Sequence, residues 1–146
     1  MRLAFTNHSL NQISIHRKTV TRRTSGLVKV NICPNAWELD TFRENPGYDD
    51  RGVLVARFKN IETHSIVVCR SKYQQGQRLF YGNAHPLEIM SIEVGQVQNV
   101  NNEEAVLEGA ASLLEFARIW DEIYSQHGYH WARNPWAWRY RFRIIP

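Results

Sequence analysis

Residues 112–128 constrain the fold more than any other stretch. Ser112-Leu113-Leu114-Glu115 has the spacing of a capping box, in which a Ser hydroxyl and a Glu carboxylate satisfy backbone N–H groups at a helix start. Behind it, Leu113, Phe116, Ala117, Trp120, Ile123 and Tyr124 recur at helical spacing, and Gly128 supplies a stop. The pattern predicts a helix to about Gln126, with Phe116 and Trp120 in the core. So broad an apolar stripe needs a partner layer, and the rest of the chain offers mainly β-type runs.

Val53–Phe58 and Ser65–Cys69 read as strands joined by a turn over 59–64. Residues 73–81 form a turn feeding a short aromatic strand, and Leu87–Val97 is the longest strand candidate. In the last strand, Arg139–Ile144, residues Tyr140, Phe142 and Ile144 face one side and Arg139, Arg141 and Arg143 the other. Leu27–Ile32 alternates, which predicts a strand with Val28, Val30 and Ile32 inward. Residues 34–52, punctuated by Pro34, Pro46, Gly47 and Gly52, read as a long loop. Two shorter helices are expected. One spans 7–15, capped by Asn7 or Ser9 with Leu10 and Ile13 on one face. The other starts at Asn101, has Glu104 three residues on and stops at Gly109. Six or seven strands with few helices predict one α+β domain over residues 1–146, built on a curved sheet or barrel.

No apolar run approaches the ~20 residues that span a bilayer, so no membrane partner is expected. The first eight residues lack the pattern of a secretory leader. Cys33 and Cys69 make neither a metal spacing nor a disulfide framework, and free thiols suit a reducing cytoplasm. His64 and His130 have no metal spacing with other ligands, and no cofactor motif is read.

The net charge of +4 is unevenly spread. Residues 1–37 carry six Lys or Arg and no acid, and residues 129–146 carry four Arg and no acid. The segment between them holds eight basic and fourteen acidic residues, a net of −6. If the two ends meet, they make one positive face suited to a polyanion or a phosphorylated ligand.

The densest part of that charge is Arg17-Lys18-Thr19-Val20-Thr21-Arg22-Arg23. Amine, guanidinium and hydroxyl groups together can hold a phosphate, a nucleoside or an oxyanion. The competing reading is a solvated edge strand, or cations that merely pair with Glu104 or Glu108. In an extended chain Lys18 and Thr21 point to opposite sides, so a bend is needed for them to converge on one ligand. Glu108 sits near a helix C-terminus, where its charge opposes the macrodipole at a cost of about 0.3–1 kcal/mol. That cost implies a further reason for it. Trp136 and Trp138 share one face of an extended segment, and core packing is the expectation for at least one.

These residues resemble the ASCH superfamily. His16-Arg17-Lys18-Thr19-Val20-Thr21-Arg22-Arg23 is similar to its basic signature G-x-K-x-x-[E/T]-x-R, written G-R-K-T-x-T-R-R in phage-encoded members. Gly76-Gln77-Arg78-Leu79 resembles its G-D-x-L turn. Glu103–Gly109 resembles its E-E-D-A-x-x-E-G helix, and Trp120-Asp121-Glu122-Ile123 with Asn134-Pro135-Trp136-Ala137-Trp138 its ending. The departures are His16 for Gly, Gln77 for Asp, and Phe80-Tyr81 where V-R-E usually follows.

The resemblance implies a PUA-like β-barrel with flanking helices and a basic cleft for RNA or a nucleoside. It includes small amidohydrolases acting on N4-acetylcytidine. Carried over by motif, the catalytic residues are Lys18, Thr21 and Glu108. Arg17, Arg22, Arg23, Tyr81, Trp136 and Trp138 are then the ligand-binding candidates. Thr21 is the nucleophile or orients a water, Lys18 is a base or an oxyanion donor, and Glu108 passes a proton to the leaving amine. The alternatives are a non-catalytic module for single-stranded RNA and a phage accessory protein acting on a host factor.

Overall fold

The computed structural model describes residues 2–14, 17–41 and 44–146. Ile15 and His16, which end the expected first helix and open the basic signature, lie outside the described residues. Eight strands and four α-helices are present among those described. The strands form two antiparallel sheets. In the first, β1 (Val20–Arg23), β8 (Trp136–Ile144), β7 (His85–Gln96) and β6 (Arg78–Tyr81) lie in that order. In the second, β4 (Val53–Asn60) is central, flanked by β5 (Ile66–Gln74), β2 (Trp37–Leu39) and β3 (Gly47–Tyr48). Among the described residues the strand pairing does not run on from one sheet into the other to close a barrel.

Both sheets contribute to one core. Leu54, Ala56 and Phe58 of β4 meet Leu87, Ile89, Trp138 and Tyr140 of β7 and β8. Alternation sets these faces: in β8, Tyr140 and Phe142 are buried while Arg141 and Arg143 are exposed, as the sequence pattern predicts. A second cluster lies under the helices, where Phe116 and Trp120 pack with Val97, Val100 and Ala105.

Helix α4 (Leu113–Tyr124) starts where the capping box puts it, with the Glu115 N–H donating to Ser112 Oγ at 3.2 Å. Gly128 ends the following turn in the left-handed region, φ 77°. Helix α3 (Asn102–Leu107) is capped by Asn101, which accepts from the Glu104 N–H at 2.9 Å. Helix α1 (Asn7–Ser14) buries Ile13, and its start is tied by Thr6, whose hydroxyl accepts from the Ser9 N–H. Among the described residues no helix is long and apolar enough to cross a membrane.

Two sequence expectations are corrected. Residues 27–32 are not a strand: Val28–Asn31 form a helical turn, α2, with Val28 and Ile32 exposed. Leu27, Val30 and Asn31 are buried instead, at i, i+3 and i+4. Asn31 decides this, because its side chain donates to the Trp136 carbonyl at 2.9 Å and accepts from the Trp136 N–H at 2.6 Å. That exchange satisfies both backbone groups where β8 begins. Residues 34–52 are not one long loop either. They add β2 and β3 to the second sheet, where Leu39 pairs with Phe58 and Gly47 with Val55.

Candidate functional site

The two acid-free ends of the chain do meet. β1 pairs antiparallel with β8, and Arg22 stands directly opposite Arg139. Like charges in that position repel, and α3 supplies the acid between them. Glu104 Oε1 accepts from Arg22 Nη2 at 2.7 Å and from Arg139 Nε at 2.6 Å. Arg139 also pairs with Glu93, and Arg143 with Glu88, both on β7. The junction is therefore a neutralised network, not the single positive face expected from the charge map. The hydrogen bonds from Arg139 and Arg22 hold the Glu104 carboxyl down at about 2, against the opposing effect of burial.

Glu108 is the last piece of that network. It is the C-cap of α3, so its backbone carbonyl is one that the helix leaves unpaired. Lys18 Nζ takes that carbonyl at 2.8 Å, the Val20 carbonyl at 3.0 Å and Glu108 Oε1 at 3.4 Å. Arg22 Nη1 donates to Glu108 Oε2 at 2.8 Å. Both the Lys18 and Glu108 side chains are only 5% exposed. The cations at Lys18 and Arg22 are what Glu108 gains for opposing the macrodipole. Burial pulls the Lys18 amine below its usual range; Glu108 opposes that shift, while Arg23 and Arg22 assist it.

The bend that Lys18 and Thr21 need is present. β1 begins only at Val20, and the Lys18 side chain folds back over the start of the strand. Lys18, Thr21 and Glu108 then line one cleft of about 350 Å³, within the size range of small-molecule sites. Thr21 Oγ1 accepts from Arg23 Nε at 3.0 Å, which leaves its own O–H free to donate. Arg23 also donates from Nη2 to the Ala4 carbonyl at 2.7 Å, and its guanidinium lies 5.0 Å from the Phe5 ring centroid. Among the described residues no carboxylate pairs with Arg23.

The other wall of the cleft is aromatic. Phe5 faces Phe116, Trp120 and Tyr124 of α4, and Trp120 stacks on Tyr124 with centroids 4.2 Å apart. Burial pushes the Tyr124 phenol up, so it stays neutral.

Not every expected ligand residue is here. Trp136 and Trp138 are both core residues, with indole N–H groups donating to the Pro34 and Ser25 carbonyls. Tyr81 is buried and borders a separate depression beside α1. Arg17 is exposed and does not line the cleft. Arg22 lines it with most of its polar edge spent on Glu104 and Glu108. The aromatic role falls to Phe5 and to α4, whose stripe reads in sequence only as core. Trp120 is core, at 3% exposed, and still presents an edge to the cleft. Tyr124, four residues on, was the visible signal, since it ends the stripe with a polar group. Phe5 carries none.

Among the described residues no group of three or more His, Cys, Asp or Glu gathers to hold a metal ion. Fold and site together define an α+β protein with a lysine–threonine–glutamate cluster set into one aromatic cleft. Comparisons with family models, curated proteins and solved structures return no match to this chain.

Proposed function

We propose that the cleft binds a modified cytidine, free or within RNA, and hydrolyses an N4-acyl amide on it, in the manner of the ASCH proteins the sequence resembles. On this reading the two-sheet arrangement is a variant of the PUA-like barrel with flanking helices. The observation that carries it is the convergence of Lys18, Thr21 and Glu108, distant in sequence, on one cleft. Two free thiols, Cys33 exposed and Cys69 buried, suit the reducing cytoplasm in which such a substrate occurs.

The base lies against Phe5 and the aromatic wall of α4, with its acylated amine toward Thr21. Thr21 Oγ1, or a water it holds, adds to the acyl carbon. The Arg23 N–H on that oxygen stabilises negative charge on the nucleophile. Lys18, with its amine shifted down by burial, takes the proton through a bridging water. Lys18 hands that proton to Glu108 Oε1, 3.4 Å away, and Glu108 passes it to the departing amine as the C–N bond breaks; where Thr21 itself attacked, a water then cleaves the acyl ester to release acetate.

Release of acetate from N4-acetylcytidine tests this directly. The wild-type protein releases acetate, and Thr21→Ala lowers the rate by about 100-fold or more. Equal rates in the two proteins refute the assignment. One observation favours a second reading, binding without chemistry. All three Lys18 N–H directions already meet acceptors, which suits a structural ammonium. Wild-type protein that binds the nucleoside and leaves it intact selects that reading.

A further inference from the structure

We propose that the cleft continues past Arg23 and Tyr124 into a second subsite that takes a phosphodiester and the neighbouring base, so that the ligand is a single strand of two or more nucleotides. This inference rests on the proposed nucleoside-binding function and names its substrate class.

A second cavity, of about 360 Å³, opens on the far side of the same two residues. Arg23 and Tyr124 line both cavities, so they form a shared wall. Among the described residues no carboxylate lines the second cavity. Its charged groups are Arg23, Lys72 and, when protonated, His127. Arg23 spends one N–H on Thr21 and one on the Ala4 carbonyl, which leaves most of its donors available. Lys72 is exposed on β5, with its amine 5.5 Å from the Tyr73 ring centroid.

Tyrosines make up most of the rest of the enclosure, with Thr24, Ser25 and Val28. Tyr73 and Tyr140 form an edge-to-face pair 5.2 Å apart, and the Tyr140 hydroxyl is fixed by the Lys72 backbone N–H. Tyr129 lies half-buried beside His127, with ring centroids 6.4 Å apart. Cations interleaved with aromatic rings are what a single strand requires, since phosphates meet Lys and Arg while bases stack. The first cleft has the complementary character: its carboxylate is neutralised and one of its walls is aromatic. A base seated there puts its sugar and phosphate beside Arg23, the boundary between the two cavities. A free nucleoside leaves the second cavity unused.

Equilibrium binding of four probes separates the possibilities. These are N4-acetylcytidine, its 5′- and 3′-monophosphates, and an RNA trinucleotide with N4-acetylcytidine at its centre. The trinucleotide, and at least one monophosphate, bind about tenfold or more tighter than the nucleoside. Lys72→Ala and Tyr129→Ala each pull the trinucleotide-to-nucleoside ratio toward one, and Lys72→Arg keeps it. If wild-type protein binds nucleoside and trinucleotide equally, the second subsite is refuted and the nucleoside function stands. If none of the probes binds, the nucleoside function falls and this inference with it. An acidic peptide, oligo-glutamate, that displaces the trinucleotide at equal concentration also overturns it.

Discussion

Glu104 is the residue on which most of the site's charge balance depends. It bridges Arg22 and Arg139, which face each other across β1 and β8. Its folded-state value of about 2 lies below the ordinary 4.5. A depressed carboxyl contributes stability that is fully present above the ordinary value and is lost as pH falls through the folded one. Glu104→Gln therefore lowers the melting temperature at pH 7, and the gap to wild type narrows as pH falls from about 4.5 to about 2. Thermal unfolding across that range checks it, and a constant gap contradicts it. At this scale the sequence was partly legible. Lys18, Thr21 and Glu108, named through the family resemblance alone, line one cleft, and the unfavourable place of Glu108 near a helix end marked it independently. Arg23 as the partner of Thr21 could not be read, because strand alternation says only which side a residue faces. Phe5 comes to the cleft purely by tertiary folding.

Elements were legible where a local signal acts alone. Asn101 and Ser112 each cap a helix at the expected residue, because a side-chain oxygen three residues before an N–H needs nothing from the rest of the fold. α2 was misread for the opposite reason. Residues 27–32, which contain it, alternate like a strand, and the deciding interaction, Asn31 with Trp136, spans 105 positions. α3 is intermediate. Six residues are too few for a helix to stand alone, so its position depends on burying Ala105, on its ion pairs and on a sharp exit at Gly109.

Gly109 has φ +91°, and a Cβ there would lie 3.1 Å from Gln12 Cβ and 3.3 Å from Lys18 Cβ. Gly76 has a similar φ of +84° with nothing within 4 Å. Gly76→Ala thus carries backbone strain alone, about 1 kcal/mol or somewhat more. Gly109→Ala adds crowding against the residue that anchors Glu108. Denaturant unfolding should rank Gly109→Ala below Gly76→Ala, and only Gly109→Ala should reduce acetate release. Equal activities in the two variants would mean that the α3 exit does not position Lys18.

For the whole molecule, the two ends meet, the condition under which the charge map implied one positive face, and that face does not form. Sequence segregates cations from acids, but the sheet order sets β7, with Glu88 and Glu93, beside β8, and α3 over the β1–β8 junction. Net charge survives as +4, but Lys18, Arg22, Arg139 and Arg143 of the two ends are each paired with a carboxylate. Among the described residues, the cations lining these two cavities without a carboxylate partner are Arg23 and Lys72, with exposed Arg17 nearby in sequence. Counterion release scales with the phosphates neutralised, at a slope of about −0.7 per contact for a single strand. Two or three contacts give a slope of about −1.4 to −2 for log K against log salt with a short RNA. A chain using all ten cations of its acid-free ends would instead give about −7. Titration of an RNA of about twelve nucleotides, which has enough phosphates for either value, at several salt concentrations distinguishes them. A steep slope would mean that nucleic acid displaces Glu104 and Glu108 from Arg22 and Arg139. A shallow slope that drops by about 0.7 in Lys72→Ala locates a phosphate in the second cavity, because among the described residues no other lysine borders it.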